Sequence, residues 1–207
     1  MHALPAVPRI AFLASHNGTN MRAIVAAMRG GSLKAEPAVL ISNNRECGAI
    51  AWANENNVPW AHISAKVTGS DAAADVAIAQ ALKSHGADLV VLAGYMRKLG
   101  PETLAAYHRR ILNVHPALLP KFGGKGMYGA FVHEAVIKAG ERESGVTIHL
   151  VDEEYDHGPV VAQATVPVEA TDTPATLAAR VMAREQTLYP ETLRRIFSSA
   201  IDLDRLV

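Results

Sequence analysis

Short apolar runs rich in β-branched residues alternate with longer alanine-rich segments in the first half of the chain. A continuous apolar run such as Leu89–Leu92 is typical of a strand that is buried on both faces of a parallel sheet. The alternation predicts a doubly wound, Rossmann-like α/β fold with a mainly parallel central sheet and helices on both faces. The predicted strands are Arg9–Ser15, Ala38–Ser42, Asp88–Ala93, Ile111–Val114 and Gly145–Val151.

The helical segments are marked by residues that commonly cap helices. Thr19 or Asn20 is the expected N-cap of the first helix, and Ser70 or Asp71 that of a later alanine-rich helix. Near the end of the chain, a long helix is predicted from about Thr173 to Ser198. We find no repeat, linker or low-complexity tract, which predicts a single domain over residues 1–207.

The composition is that of a soluble globular protein. Of the 207 residues, 49% are hydrophobic and 19% are charged, and 20 basic residues balance 20 acidic ones. This balance argues against nucleic acid as the partner, while a small anionic ligand is allowed. Cys47 is the only cysteine, so an intrachain disulfide is excluded. Neither a membrane span of roughly 18 apolar residues nor a targeting signal is recognisable, so we expect a cytoplasmic protein.

The segment Ser15–Asn20 follows the first predicted strand and opens the first predicted helix. Loops beyond the carboxyl ends of parallel strands line the ligand crevice, and a helix N-terminus offers N–H groups to a phosphate. Gly18 allows close backbone approach, while Thr19 and Asn20 add side-chain donors. An ordinary turn and N-cap would use the same residues, so both interpretations stay open. The loop lacks the G-x-G-x-x-G and Walker patterns, which argues against a dinucleotide or a nucleoside triphosphate.

Asn113 and His115 lie at the end of a predicted strand, directly before Pro116. Strand alternation sends the two side chains to the same face, and the proline ends the strand where a crevice would begin. A histidine can move a proton near neutral pH and an amide can donate to a developing oxyanion, so the pair suits acyl transfer. A structural histidine beside a turn is the alternative.

The polar segment Asp152–Pro159 separates two apolar strands, the second of which is predicted over Val160–Val168. The segment is either a hydrated hairpin tip or part of a site. Thr147 and His149 alternate with apolar residues on the preceding strand, so one face of that strand is polar. His149 is either a buried, hydrogen-bonded residue or a supporting member of the site.

The segment Gly94–Leu99 follows the strongest predicted strand, again at a carboxyl end. Its backbone could bind an aromatic heterocycle while Tyr95, Met96 and Leu99 pack against the ring. Core packing explains Met96 and Leu99 equally well. On the long last helix, Glu185 is a weaker candidate for the recognition of hydroxyl groups.

The order of these motifs resembles the phosphoribosylglycinamide formyltransferase family, from Arg9 to about Phe197. The motifs that carry the resemblance are Asn17–Asn20, Val91–Arg97, Leu112–Pro120, Gly145–His149 and Asp156 with Gly158–Pro159. One motif alone is weak, whereas five in this order are specific. The resemblance implies the formyltransferase fold and transfer of the formyl group of 10-formyltetrahydrofolate to the primary amine of glycinamide ribonucleotide, in de novo purine biosynthesis and without a metal.

The resemblance also implies roles for individual residues. The catalytic residues would be Asn113, His115 and Asp156. The formyl folate would be bound by Tyr95, Met96, Arg97, Lys98, Leu99, Asn113, Asp152, Glu153, Glu154, Tyr155 and Asp156. The glycinamide ribonucleotide would be bound by Gly18, Thr19, Asn20, Met21, Arg22 and Glu185. The partners would then be these small molecules, with no nucleic acid and no membrane, and the protein would be a monomer or a homodimer.

Three positions depart from the family pattern. After Phe122 the family commonly has Pro-Gly-x-His, whereas this chain has Gly123–Gly126. His16 replaces the usual small residue before Asn17. The arginine often found before the helix Ala72–Ser84 has no evident counterpart.

Two other functions are open from the sequence. A 10-formyltetrahydrofolate hydrolase would use the same catalytic residues with water in place of the amine. It usually carries an additional N-terminal domain, for which the start of the first strand at Arg9 is expected to leave no room. A non-catalytic folate- or nucleotide-binding module is the alternative from another class.

The transfer reaction predicts a protonation state for the central histidine. Asn113 and a protonated His115 are expected to stabilise the tetrahedral oxyanion. Asp156 is expected to raise the pKa of His115 above that of a free histidine, and to help pass the proton from the amine to the leaving nitrogen.

Overall fold

The computed structural model describes residues 4–207, so residues 1–3 of the expected domain lie outside it. Its strands are β1 (Arg9–Leu13), β2 (Glu36–Ser42), β3 (Trp60–His62), β4 (Leu89–Leu92), β5 (Ile111–His115), β6 (Glu143–Leu150) and β7 (Val160–Pro167). Its α-helices are α1 (Thr19–Arg29), α2 (Gly48–Glu55), α3 (Ala65–Thr68), α4 (Asp71–Ser84), α5 (Pro101–Ala106), α6 (Ala130–Lys138) and α7 (Pro174–Phe197). A seven-stranded sheet has the order β3-β2-β1-β4-β5-β6-β7, which confirms the doubly wound α/β fold.

The chain divides into two compact units, the first ending at Leu112 and the second beginning at Asn113. The division therefore falls inside β5. The expectation of a single domain stays a prediction.

In the first unit, β1 lies between β2 and β4 and is parallel to both, and β3 is parallel to β2. Residues Ile10–Leu13 of β1 are fully buried, as continuous apolar runs predict for a central strand. The chain runs from β1 to β2 on one side and returns to β4 on the other. Such a reversal opens a crevice at the carboxyl ends of β1 and β4, where the segments after Leu13 and Leu92 begin.

Two helices of the first unit begin in different ways. Helix α4 is capped by Ser70, whose side chain accepts the N–H of Ala73, as predicted. Helix α1 begins after Gly18, which has a φ of 58°, and no side chain caps it. The expectation that Thr19 or Asn20 is the N-cap is therefore wrong, because the glycine turns the chain one residue earlier. The first turn of α1 thus begins without the side-chain cap that α4 has.

In the second unit, β6 and β7 are antiparallel and the register shifts between Ile148 and His149. The long predicted helix is confirmed as α7, with Thr173 as its N-cap. Its buried residues recur at helical spacing and form one apolar face; they are Leu177, Val181, Leu188, Tyr189, Thr192, Leu193 and Ile196. None of the helices formed by residues 4–207 combines the length and apolar content that crossing a membrane requires.

Candidate active site

In the second unit, two histidine side chains lie close to the carboxylate of Asp156, and an asparagine side chain contacts one of them. Its Oδ2 lies 3.4 Å from Nδ1 of His115, and its Oδ1 lies 3.5 Å from Nε2 of His149. The same His149 nitrogen lies 3.1 Å from Nδ2 of Asn113. The side chains of His115, His149 and Asp156 are only 4%, 3% and 11% exposed. The structure therefore brings together the three predicted catalytic residues and His149.

The local backbone conformation orients these side chains toward one another. Asn113 and His115 are two residues apart on β5, which places them on one face of the strand. The register shift between Ile148 and His149 is of the kind that redirects a strand side chain. Asp156 has a φ of 56°, a left-handed conformation that aspartate tolerates better than most residues. Its burial excludes the hydrated hairpin tip for this residue.

The carbonyl of Phe122 fixes the tautomer of His115. Nε2 of His115 lies 2.7 Å from that carbonyl oxygen, so Nε2 carries a hydrogen and donates it. Phe122 has a φ of 56°, an uncommon conformation for a bulky residue and one that is often retained at functional sites. In a neutral His115, Nδ1 is then the unprotonated nitrogen, and it faces Asp156.

The expected protonation state of His115 is wrong. Burial lowers the pKa of His115 below its ordinary value of 6.5, and the nearby charge of His149 adds to the effect. The carboxylate of Asp156 and the carbonyl of Phe122 do raise this pKa, as predicted for Asp156, but they do not offset the burial. The lowered pKa favours the neutral form of His115, in which Nδ1 is the unprotonated nitrogen and faces Asp156.

A backbone carbonyl also fixes the tautomer of His149. Its Nδ1 lies 2.9 Å from the carbonyl of Leu150, so a neutral His149 carries its hydrogen on Nδ1. Its Nε2 is then an acceptor and takes one N–H of the Asn113 amide. The side-chain amide of Asn113 has a second N–H. Its direction is set by the hydrogen bond that the first N–H makes with His149, because the amide is planar. His149 is therefore buried and hydrogen-bonded, as one of the two sequence interpretations states, and its supporting role in the site stays a prediction.

The glycine segment that departs from the family pattern belongs to this site. The N–H of Gly124 donates to Oδ2 of Asp156 over 3.0 Å. A Cβ on Gly123 would overlap the end of the Leu119 side chain and lie close to Asp156, so a larger residue there would require the Leu119 side chain to move. Nothing in the sequence beyond the glycines themselves signals this contact, because it is made by a backbone N–H.

These contacts keep Asp156 ionised. Burial would raise the pKa of this carboxyl, but the neighbouring imidazoles of His149 and His115 and the N–H of Gly124 together lower it below 3.8. A second buried imidazole, His133 on α6, also has a lowered pKa because of burial and the charge of His115. Within residues 4–207, Nδ1 of His133 has no hydrogen-bond partner.

These shifts predict that acid destabilises the protein. The folded pKa values of His115 and His133 lie below their unfolded values, so the folded state binds fewer protons than the unfolded state. The free energy of unfolding should be highest above the unfolded histidine pKa of about 6.5 and should fall as the pH drops through it. Asp156 adds a further loss at lower pH, since its folded pKa is also lowered. Urea unfolding at a series of pH values measures this dependence.

A comparison of two histidine variants checks whether buried histidines cause this loss of stability in acid. His133→Gln should flatten the decline below neutral pH, because one buried imidazole no longer titrates. His157 is the opposite case, since its hydrogen bond with Asp152 raises its pKa, and His157→Gln should not flatten the decline. Equal pH dependence in wild type and His133→Gln would contradict the prediction.

The predicted phosphate-binding residues lie in the first unit, at the start of α1. Gly18, Thr19 and Asn20 form the N-cap and the first helical residues. The side chain of Met21 is fully buried, which leaves only its backbone for a ligand. Nη2 of Arg22 donates to the carbonyl of Gly48 over 3.0 Å, so its guanidinium is held against α2. The binding roles of these residues stay predictions.

The other predicted ligand residues differ in exposure. In the first unit, Met96, Arg97 and Lys98 are exposed, Tyr95 is half-buried and Leu99 is buried. Burial raises the pKa of Tyr95 to about 12. In the second unit, Glu153, Glu154 and Tyr155 are exposed, whereas Asp152 and Glu185 are half-buried. His16, whose role the sequence left open, is exposed, and its carbonyl accepts the N–H of Ala49.

Comparison with known proteins gives consistent similarities. Residues 8–193 match the family model described as formyl transferase. A chloroplastic phosphoribosylglycinamide formyltransferase of Arabidopsis thaliana is 41% identical over 95% of this chain and 68% of its own length. The phosphoribosylglycinamide formyltransferase of Haemophilus influenzae is 37% identical over 90% of this chain and 85% of its own. A solved glycinamide ribonucleotide transformylase from Symbiobacterium toebii has a TM-score of 0.88 and 36% identity, covering 94% of this chain and 89% of its own.

A solved formyltetrahydrofolate deformylase from Pseudomonas syringae is also similar in structure. Its TM-score is 0.82, but its identity is only 24%, over 93% of this chain and 62% of that chain. The likeness to the deformylase therefore shows a shared fold, while the relatives with higher identity carry the name of the transferase.

Proposed function

Because the chain belongs to the phosphoribosylglycinamide formyltransferase family, we propose that it transfers the formyl group of 10-formyltetrahydrofolate to the primary amine of glycinamide ribonucleotide. The observation that carries the proposal is the close arrangement of Asn113, His115, His149 and Asp156, which combines an amide donor, a proton acceptor and a carboxylate. Groups of these three kinds accelerate acyl transfer to an amine.

In the proposed reaction, the neutral amine attacks the formyl carbon and a tetrahedral intermediate forms. The second N–H of the Asn113 amide stabilises the oxyanion, while His149 holds the first. Nδ1 of His115 accepts the proton that the attacking nitrogen loses, and Asp156 stabilises the resulting imidazolium. His115 then returns the proton to N10 of the folate as the bond between the formyl carbon and N10 breaks. The products are the formylated amide and tetrahydrofolate.

Formyl folate serves in this scheme as a co-substrate, and no step is assigned to a metal. The substrates are small molecules, and the zero net charge of the chain gives no reason to invoke nucleic acid. We place the protein in the cytoplasm, as a monomer or a homodimer. The free, buried Cys47 suits a reducing compartment.

One assay separates the proposed transferase from the other functions. Purified protein is mixed with 10-formyltetrahydrofolate, with and without glycinamide ribonucleotide, and the release of tetrahydrofolate is followed. The proposal expects release that depends on the ribonucleotide. Release at the same rate without it would indicate a hydrolase, and binding of both ligands without release would indicate a non-catalytic module.

The phosphate of the ribonucleotide is proposed to bind at the start of α1. This helix has no side-chain cap, and its N-terminus carries the positive end of the helix dipole. Replacing Thr19 and Asn20 together by alanine should raise KM for glycinamide ribonucleotide by at least about tenfold, the effect of one or two hydrogen bonds to a charged group. Steady-state kinetics on the folded double variant measures the change.

Two controls make the phosphate assignment specific. The double variant should bind the dephosphorylated glycinamide riboside no more weakly than wild type does, because the lost contacts go to the phosphate. Ser70→Ala removes the cap of α4 and should leave KM for the ribonucleotide unchanged. An unchanged KM in the double variant would show that the phosphate binds elsewhere.

A further inference from the structure

The segment Tyr95–Leu99, proposed to contact the formyl folate, lies between β4 and α5 and is neither helix nor strand. A cavity of about 40 Å³ lies beside it and is lined in part by Tyr95, Leu99 and Gly100. This volume is enough for a water molecule, so the segment is not tightly packed on that side. Hydrogen bonds at its two ends hold its backbone in place.

Ser15 holds the beginning of the segment at two points. The N–H of Ser15 donates to the carbonyl of Gly94 over 3.0 Å. Its Oγ accepts the N–H of Met96 over 2.8 Å. Gly94 has a φ of 78°, so the chain turns there, and the two hydrogen bonds bracket the turn. Ser15 is itself buried just beyond β1, the strand between β2 and β4, which gives the turn a rigid support.

Asn43 sets the direction of the Ser15 hydroxyl. The hydroxyl donates its hydrogen to Oδ1 of Asn43 over 2.6 Å. A serine hydroxyl has one hydrogen and two lone pairs, so this bond turns a lone pair toward the N–H of Met96. Asn43 follows β2 directly. Ser15, Asn43 and Met96, which follow β1, β2 and β4, are thus linked through the Oγ atom of Ser15.

The other end of the segment is held by the buried carboxylate of Asp75. Its Oδ1 accepts the N–H of Gly100 over 3.1 Å and that of Thr103 over 3.2 Å. Its Oδ2 accepts the N–H of Glu102 over 2.8 Å. The segment is therefore fixed at both ends, and Ser15 is the anchor at the end nearest the carboxyl edge of β1.

We propose that Ser15, oriented by Asn43, is a positioning residue that holds Tyr95–Leu99 in the conformation that binds formyl folate. The inference rests on the proposed function of the segment. Without the Ser15 hydroxyl, the N–H of Met96 loses its acceptor and the segment gains conformational freedom, which the ligand must then remove on binding. Ser15 touches no reacting atom in the proposed mechanism, so its loss should affect binding more than the chemical step.

The test combines kinetics with amide hydrogen exchange of the ligand-free protein. Ser15→Ala should raise KM for 10-formyltetrahydrofolate by about threefold to tenfold, the effect of one hydrogen bond, with little change in kcat. The amide of Met96 should exchange faster. Asn43→Ala should act in the same direction, whereas Asn43→Asp keeps an acceptor for the hydroxyl and should restore slow exchange and the wild-type KM.

A matched control is Ser42→Ala. Ser42 is equally buried, but its hydroxyl donates to the carbonyl of Asn44 and contacts Cys47 rather than the segment. It should change neither Met96 exchange nor KM for the folate. If the Ser15 variant does not fold, the Asn43 pair carries the test.

Two results would overturn the inference. Unchanged exchange at Met96 in Ser15→Ala and Asn43→Ala would show that the hydroxyl does not hold the turn. Faster exchange with an unchanged KM would show that the turn does not position the folate. Failure of the proposed function looks different: wild type would bind the folate without ribonucleotide-dependent turnover, and a weaker Kd of Ser15→Ala for that folate would still support the positioning role.

Discussion

Replacing His115 by alanine is expected to lower kcat by a hundredfold or more, the usual effect of losing a general acid or base. Nδ1 of His115 is the proposed acceptor of the amine proton, and the buried carboxylate 3.4 Å away stabilises the charge that results. This interaction is stronger in the transition state than with either bound substrate. KM for both substrates should therefore change much less than kcat.

Further variants test whether the loss of kcat comes from the catalytic role of His115. Asn113→Ala should also lower kcat, and the double variant should lose less than the product of the single losses, because both groups act on one transition state. His108→Ala is the matched control, since His108 is exposed and lies outside the site. A near-normal kcat for folded His115→Ala with ligand binding retained would show that the histidine is structural.

Asp156→Asn should lower kcat by about a hundredfold through loss of the carboxylate charge. Asparagine has nearly the same size, tolerates the left-handed backbone at this position, and can still accept the N–H of Gly124. The fold should therefore be retained. The variant thus separates the charge of Asp156 from its packing.

The same variant changes the titration of His115. The carboxylate raises the pKa of His115 against the effect of burial, so its removal should lower that pKa further. Catalysis needs His115 unprotonated at Nδ1, and the loss of kcat/KM at low pH should therefore shift to lower pH in the variant. Nuclear magnetic resonance titration of His115 measures the pKa directly. An unchanged His115 pKa would mean that the two side chains are not coupled, and Asp202→Asn, at an exposed loop, is the control.

The elements that were predicted correctly from the sequence are those with strong local patterns. Strands β1 and β4 are continuous apolar runs, and α7 has a capping residue and an apolar stripe. Strand β3 was not predicted because its three residues, Trp60–His62, are too few to show a period. Helices α5 and α6 were missed for a similar reason, since each has fewer than ten residues and begins after a glycine without a side-chain cap.

The sequence by itself determined the fold class and the family and predicted which residues are catalytic, because motif order and strand periodicity are properties of the chain. Only the tertiary structure decided how these residues behave. Burial reversed the expected pKa shift of His115, since the loss of hydration outweighs the neighbouring carboxylate. The contacts of Gly124 with Asp156 and of Ser15 with Met96 involve backbone N–H groups. Every residue except proline has such a group, so its partner is fixed by the position of the folded chain and leaves no mark on the sequence.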